Sequence, residues 1–252
     1  MKILPLVFLL AFSAVVAPAN PIIISEHDED REIRMYIAGE QLDVTVDPDH
    51  AVIDGQFMFY GPVTPMPAKM NVPIWIPAQA TAVQPDLAAF LRRYPLNKTI
   101  RLEDRNRAEF DRLLQFSAVG RMVKEISVQT FGIYDTRGDQ HAIPPEWQRA
   151  GKLCVVVSLP FEGGLGSQIH LHYAQPHVQK SGNPAEFFYL PKFANLPAEN
   201  STEDVKQYAM KVTPLHCSFR IGGKTFTSGK TALLHLRHYI PIVGEIVPAK
   251  GS

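Results

Sequence analysis

The sequence predicts a mainly β protein built as a β-sandwich, with two sandwich-like halves joined by a short helical insert. Two observations carry this expectation. Runs of alternating apolar and polar residues, which indicate half-buried strands, occur before residue 60 and again after residue 150. Helical spacing of apolar residues is confined to the segment between them. The 252-residue chain is 46% hydrophobic and contains 21 prolines, which suits a globular chain rich in turns and strand ends.

The overall composition excludes several classes of protein. The chain has 25 Lys and Arg against 25 Asp and Glu, giving a net charge of zero and a pI near 7.1. This balance lacks the basic excess of a nucleic-acid binder, so we expect no nucleic-acid partner. Two cysteines are too few for a disulfide-framework miniprotein or a four-cysteine zinc module.

The first 19 residues have the three parts of a secretory signal peptide: Lys2, an apolar stretch and the small-residue site Ala17-Pro18-Ala19. The apolar stretch is shorter than the roughly 20 residues that a membrane-spanning helix needs. We expect cleavage after Ala19 and a secreted or periplasmic chain without a membrane span. An uncleaved anchor and a buried strand are the alternatives. Loss of Lys2 would leave 24 basic and 25 acidic side chains in the mature chain.

Residues 20–32 form an acidic linker, with calcium capture as the alternative, and residues 33–83 form an N-terminal β region. The strands expected in this region are 33–37, 42–46 and 51–60. The segment 72–77 (VPIWIP) is short, apolar and bounded by prolines, which favours an edge strand or an extended connection. If the protein is a subunit of an envelope assembly, this segment is the expected contact, with Trp75 as its anchor.

Residues 84–122 are predicted to be the helical insert. Apolar residues recur there at helical spacing in two stretches, and Asp104 is placed to cap the second. The apolar positions are Leu87, Phe90 and Leu91 in the first stretch and Phe110, Leu113 and Leu114 in the second.

Residues 123–252 are predicted to be a C-terminal β-sandwich domain. The run 153–159 is apolar on both faces and indicates a central buried strand. Near the end of the chain, Gly222-Gly223 predicts the turn of a β-hairpin. The other expected strands are 123–134, 168–174, 186–190, 208–212, 216–221 and 231–240.

Cys154 and Cys217 both fall in predicted strands, 63 residues apart. In an oxidising compartment an even number of cysteines suggests a bridge, so we expect a Cys154–Cys217 disulfide. Two buried free thiols are the main alternative and a catalytic thiol is the other. The interval resembles that of an immunoglobulin domain, and the early strands look like those of exported immunoglobulin-like or fibronectin-like domains. The sequence departs from the immunoglobulin pattern because residues 150–217 contain no Trp and Leu215 stands where a tyrosine corner needs Tyr.

The run from Gln168 to His177 contains the strongest candidate for a metal site. On a strand, His170 and His172 would lie side by side on one face, where two imidazoles can bind zinc, copper or iron, with His177 as a third ligand. Together with Gly164, this run resembles the first motif of the cupin family. The glutamate of that motif is absent, and His177 occupies one of its positions. The alternative is that Ile169, Leu171 and Tyr173 face the core and the histidines simply line the solvent side.

No other motif carries chemistry. The stretch ending in Gly229-Lys230-Thr231 is not a phosphate-binding loop, because five residues instead of four separate Gly223 from Gly229. There is no Gly-x-Ser-x-Gly nucleophile motif. We therefore expect an exported, non-catalytic protein without a cofactor, which binds a protein or glycan partner or has a structural role. The alternative is a metal-binding protein or metal-dependent enzyme that uses the histidines.

Overall fold

The structure is a computed structural model of the chain. It describes residues 22–25, 36–60, 66–77, 84–95, 98–130, 152–163, 166–177, 184–189, 191, 208–237 and 242–249. The predicted signal segment 1–19 and the linker beyond Ser25 lie outside these residues.

The described residues form fifteen strands and two helices. The strands of the N-terminal part are β1 (Ile22–Ser25), β2 (Tyr36–Val46), β3 (His50–Tyr60) and β4 (Met66–Pro77). The helical segment contains α1 (Pro85–Arg92), β5 (Thr99–Arg101), α2 (Asp104–Leu114) and β6 (Ser117–Ala118). The remaining strands are β7 (Glu125–Thr130), β8 (Lys152–Gly163), β9 (Ser167–Pro176), β10 (Ala185–Tyr189), β11 (Tyr208–Pro214), β12 (Cys217–Ile221), β13 (Lys224–Phe226), β14 (Ala232–His235) and β15 (Ile242–Pro248).

The strands form three open sheets. The six-stranded sheet has the order β14-β11-β2-β3-β9-β6, the five-stranded sheet β1-β4-β8-β7-β5 and the four-stranded sheet β10-β15-β12-β13. Strand pairing is antiparallel except between β2 and β11, which run parallel from Tyr208 opposite Glu40 to Pro214 opposite Val46. The prediction of a mainly β protein is confirmed, whereas an immunoglobulin-like sandwich is not.

The two larger sheets combine strands from both sides of the helical segment. In the six-stranded sheet β3 pairs with β9 and β2 with β11, and in the five-stranded sheet β4 pairs with β8. The expectation of two separate sandwich-like halves is therefore wrong. Local alternation reveals that a segment is a strand, but it carries no information about which distant strand it pairs with.

A single apolar core connects the three sheets. Phe59 of β3 meets Phe161 of β8 edge-on, with ring centroids 5.3 Å apart, which joins the six-stranded sheet to the five-stranded one. The four-stranded sheet is joined to the six-stranded one by a polar contact, because the Tyr189 hydroxyl donates a hydrogen bond to the fully buried Glu40 carboxylate. Burial, reinforced by the nearby Glu40 charge, raises the pKa of Tyr189 well above its usual value, so this hydroxyl stays a donor.

The two predicted helices are present, and their apolar faces are buried through Leu87 and Phe90 in α1 and Phe110 and Leu114 in α2. The predicted cap is wrong by one position. Glu103 precedes α2 in an extended conformation, and Asp104 is its first helical residue.

The residue after α2 has an unusual backbone conformation. Gln115 ends the helix in the left-handed region, at φ 48°, where glycine is the usual residue because a side chain is disfavoured there.

Segment 72–77 is not a separate edge strand but the second half of β4. Strand β4 pairs with β8 along its whole length, and β8 is the central strand of its sheet, as predicted. On its other side β4 pairs with β1 only from Ala68 to Asn71. No described strand pairs with this half of β4 on the side away from β8. Pro73, Trp75 and Pro77 alternate along the half-strand and share one orientation, and of these three only Trp75 has an N–H to donate. This arrangement hinders the strand addition that an assembly contact here would require.

The predicted hairpin at Gly222-Gly223 is confirmed. The turn joins β12 to β13, and its two glycines have φ values of 54° and 75°. Positive φ at both central positions defines a type I′ turn, which only residues such as glycine adopt readily.

Candidate functional site

The outward face of the six-stranded sheet carries a row of polar residues in register. Lys211, Asp43, Asp54, His172 and Ser117 occupy neighbouring positions on β11, β2, β3, β9 and β6. The alternation of the strands places these residues outward, while neighbours such as Leu171 are buried. Lys211 and Asp43 form an ion pair with a separation of 3.5 Å.

Asp54 lies between the two histidines that the sequence singles out. Its Oδ1 is 2.5 Å from Nε2 of His170, and its Oδ2 is 3.3 Å from Nδ1 of His172. Burial alone would raise the pKa of Asp54, but the hydrogen bonds and the attraction from the two imidazoles outweigh burial and lower it. The group is thus an ionised carboxylate that accepts a hydrogen bond from each ring.

His177 is not part of this group. It follows β9, is 1% exposed, and its Nε2–H donates a 2.8 Å hydrogen bond to the Asp47 carbonyl oxygen. Its Nδ1 is buried and has no hydrogen-bond partner among the described residues. Burial lowers the pKa of His177 to about 4, so the ring is neutral at physiological pH.

The structure therefore brings together His170 and His172 but not His177. Within the described part of the chain, no three His, Cys, Asp or Glu side chains stand in a ready-made metal-binding arrangement. The sequence could not identify Asp54 as a partner because it lies 116 positions before His170. The only available signal was a carboxylate on an outward position of an alternating strand.

A cleft of about 390 Å³ lies between the first turn of α1, the end of α2 and the β3–β9 end of the six-stranded sheet. The residues that line it are His50, Gln84, Pro85, Asp86, Leu87, Arg112, Leu113, Gln115, Ala174 and Pro176. The sequence analysis did not find this cleft, since its lining comes from four separate segments and no local motif marks it.

The turn between β2 and β3 fixes the imidazole of His50 at the edge of the cleft. Oδ1 of Asp47 accepts the backbone N–H groups of Asp49 and His50 at 2.8 and 2.9 Å. Oδ2 of Asp47 lies 3.0 Å from Nδ1 of His50. Asp47 thus orients the ring, and Nε2 of His50 makes no hydrogen bond to any described residue.

Arg112, which also lines the cleft, makes one ion pair with a described residue, from Nη2 to Oδ2 of Asp86 at 3.2 Å. Both side chains are more than half exposed, and exposed pairs contribute at most about 1 kcal/mol. The other guanidinium N–H groups make no hydrogen bond to described residues, and neither do the side-chain amides of Gln84 and Gln115. The cleft therefore offers several donors and acceptors to a bound molecule.

The two cysteines occupy different sheets, Cys154 in β8 and Cys217 in β12. Cys217 carries a free, buried thiol whose Sγ lies 3.4 Å from the Val46 carbonyl oxygen. Burial raises the pKa of this thiol, which lowers the fraction present as the reactive thiolate. The side chain of Cys154 lies outside the described side chains, so the Cys154–Cys217 bridge is not shown and stays a prediction.

A scan against protein-family models found no match for the chain, and a search of curated proteins found none either. Neither described helix is long and apolar enough to cross a membrane. The mainly β fold thus carries two polar features: the group of Asp54, His170 and His172 on the six-stranded sheet, and the cleft lined by His50 and Arg112.

Proposed function

We propose that the protein is an exported, non-catalytic binding protein that holds a small carboxylate-bearing ligand in the cleft between the helical segment and the six-stranded sheet. The observation that carries the proposal is the set of hydrogen-bonding groups around the cleft that have no partner among the described residues. Its volume of about 390 Å³ falls in the range of small-molecule sites, which is roughly 300–1,000 Å³.

The ligand class follows from the two basic side chains. Arg112 has free donors in a planar fork, the geometry that binds a carboxylate through two parallel hydrogen bonds. His50 lines the same cleft, and because its Nδ1 contacts Asp47, its Nε2 is left without a hydrogen-bond partner among the described residues. Gln84 and Gln115 can donate to or accept from the rest of the ligand, while Leu113 and Pro176 supply apolar contact.

Gln115 adds support to this assignment. A non-glycine residue in the left-handed region costs about 1 kcal/mol or more compared with glycine. Strained residues often cluster at binding sites, where the side chain has a use that offsets the cost. Gln115 lines the cleft, so its amide is available to a ligand.

The experiment is an NMR titration of the mature chain with acetate, succinate and citrate, and in parallel with the uncharged acetamide and succinamide. We expect saturable shifts of the His50 and Gln115 signals with at least one carboxylate and none with the amides. Arg112→Gln should weaken binding at least tenfold. Arg105→Gln is the matched control, since Arg105 is exposed on the same helix two turns earlier and does not line the cleft. Equal effects of both substitutions, or no saturable shift with any probe, would refute the proposal.

Export itself is part of the proposal. Cleavage after Ala19 would leave Asn20 as the first residue and keep β1 intact, because β1 begins at Ile22. Mass spectrometry of the exported protein should therefore give a chain that starts at Asn20. An intact Met1 in the soluble protein would contradict this.

An oxidising compartment would also favour the proposed Cys154–Cys217 bridge. Alkylation of the denatured, unreduced protein should add no label. Two labels without reductant would show that both thiols are free.

A further inference from the structure

We propose that His170 and His172, together with Asp54, bind a divalent first-row metal ion on the outward face of the six-stranded sheet, with Cu²⁺ bound most tightly. This site is separate from the cleft and does not depend on the function proposed for it. The group differs from the trio suggested by the sequence, because a carboxylate from β3 takes the place of His177.

The backbone fixes the relative positions of the three groups. His170 and His172 are two positions apart on β9 and point to the same side. Asp54 stands directly opposite His172 on the neighbouring strand, while Gln56 stands opposite His170. Strand pairing thus brings one carboxylate and two imidazoles together without help from any flexible loop.

The atoms that face each other are suitable ligands. Nε2 of His170 and Nδ1 of His172 both point at the Asp54 carboxylate, at 2.5 and 3.3 Å. In the metal-free protein these nitrogens carry protons that hydrogen-bond to the carboxylate. A metal ion would take the place of those protons, so each imidazole coordinates through the nitrogen that now donates. In a neutral ring the proton then resides on the other ring nitrogen, and a protonated ring releases one proton to solvent.

The site is accessible and able to adjust. The side chains of His170, His172 and Asp54 are 39%, 37% and 44% exposed. As they stand, the three groups do not form a metal-binding arrangement, so the side chains must rotate to surround an ion, and partial exposure leaves room for this. Water can complete the coordination shell. Imidazole with carboxylate suits copper, nickel and zinc, and Cu²⁺ has the highest affinity among these ions for a given nitrogen and oxygen site.

The experiment uses the mature chain after chelator treatment and dialysis. Cu²⁺ and then Zn²⁺ are titrated by calorimetry in a weakly coordinating buffer, and the Cu²⁺ complex is examined by electron paramagnetic resonance. We expect one ion per chain, tighter for Cu²⁺ than for Zn²⁺, with hyperfine coupling to two imidazole nitrogens. The double substitution of His170→Gln and His172→Gln should abolish this binding. Asp54→Asn should weaken it at least tenfold, because the substitution replaces the only anionic ligand of the proposed group by a neutral amide.

His235→Gln is the matched control. His235 is exposed on β14. It is linked to His170 by successive register partners across the six-stranded sheet, four strands away. At the usual strand spacing this separation is about 19 Å. This substitution should leave Cu²⁺ affinity unchanged. The thermal unfolding midpoint of each variant checks that the sheet has folded. Wild-type affinity in the folded double variant, or no stoichiometric Cu²⁺ in the wild type, would overturn the proposal.

Discussion

The close contact between Gly244 and the Phe219 ring gives the sharpest prediction about stability. Gly244 lies in β15, and a Cβ added there would stand 1.9 Å from Cε2 of Phe219 and 2.2 Å from Cζ. Carbon atoms pack comfortably at about 3.5 Å or more, so in Gly244→Ala the ring would have to move by about 1.6 Å.

The surroundings of Phe219 decide the size of the effect. The ring is fully buried and meets Phe187 edge-on, with centroids 6.4 Å apart. It has little room to move, so we expect the cost to fall at the upper end of the range for overpacking, which is about 1–3 kcal/mol. Equilibrium unfolding in urea should show a loss of about 3 kcal/mol, or about 6–12 °C in the unfolding midpoint for a chain of this size.

A double-mutant cycle isolates the contact. Phe219→Ala alone should cost about 3–5 kcal/mol, because it leaves a cavity in the core. In that background the atoms that obstruct the new Cβ are gone, so Gly244→Ala should add almost nothing, and the two changes should be strongly non-additive. If Gly244→Ala costs less than about 1 kcal/mol in the wild type, or costs the same in both backgrounds, the steric reasoning is wrong.

Three further predictions concern buried polar groups and the open strand edge. Tyr189→Phe should lower the free energy of unfolding by about 1.5–3 kcal/mol, because it removes a donor from the buried Glu40 carboxylate. Tyr208→Phe loses only a hydrogen bond to the Ile37 carbonyl oxygen and should lower it by about 0.5–1.5 kcal/mol. Equal losses for the two variants in urea unfolding would contradict this order. In the folded state the pKa of His177 is about 4, below its unfolded value of 6.5. Between these two pH values the unfolded chain binds a proton that the folded chain does not. The free energy of unfolding should therefore fall as the pH decreases from about 6.5 to 4, by up to roughly 3 kcal/mol. His177→Gln should flatten the pH dependence of urea unfolding across that window, and an unchanged slope would exclude this histidine as its source. Replacing Pro73 and Pro77 by Val adds two N–H groups on the side of β4 where no described strand pairs with it, and should increase self-association measured by light scattering. If the variant is folded like the wild type and its particle size is unchanged, the prolines do not protect this edge.

The sequence predicted local features well and long-range ones poorly. Alternation in β9 was sufficient to place Ile169 and Leu171 inward and the two histidines outward, and helical spacing was sufficient to find α1 and α2. These patterns depend on residues close together in the chain, so they can be read without the fold.

The candidate sites were harder to predict because they depend on register between distant strands. Asp54 reaches His172 only through the pairing of β3 with β9, and His50 and Arg112 line one cleft only because the helical segment lies at the end of the same sheet. A shift of one residue in that pairing would turn the side chains of a strand to the other face. Strand β15 was missed because Gly244 and Glu245 interrupt its apolar pattern.

The parallel pairing of β2 with β11 affects how the chain acquires its structure. Glu40 and Tyr208 are register partners although 168 positions separate them, so the middle of the six-stranded sheet is completed by two segments from nearly opposite ends of the chain. Contacts of such long range make folding slow, because a large loop must close before they form. During synthesis, β2 and β3 therefore emerge long before their sheet can be completed. The six-stranded sheet can therefore be completed only after most of the chain, including β9 and β11, has been made.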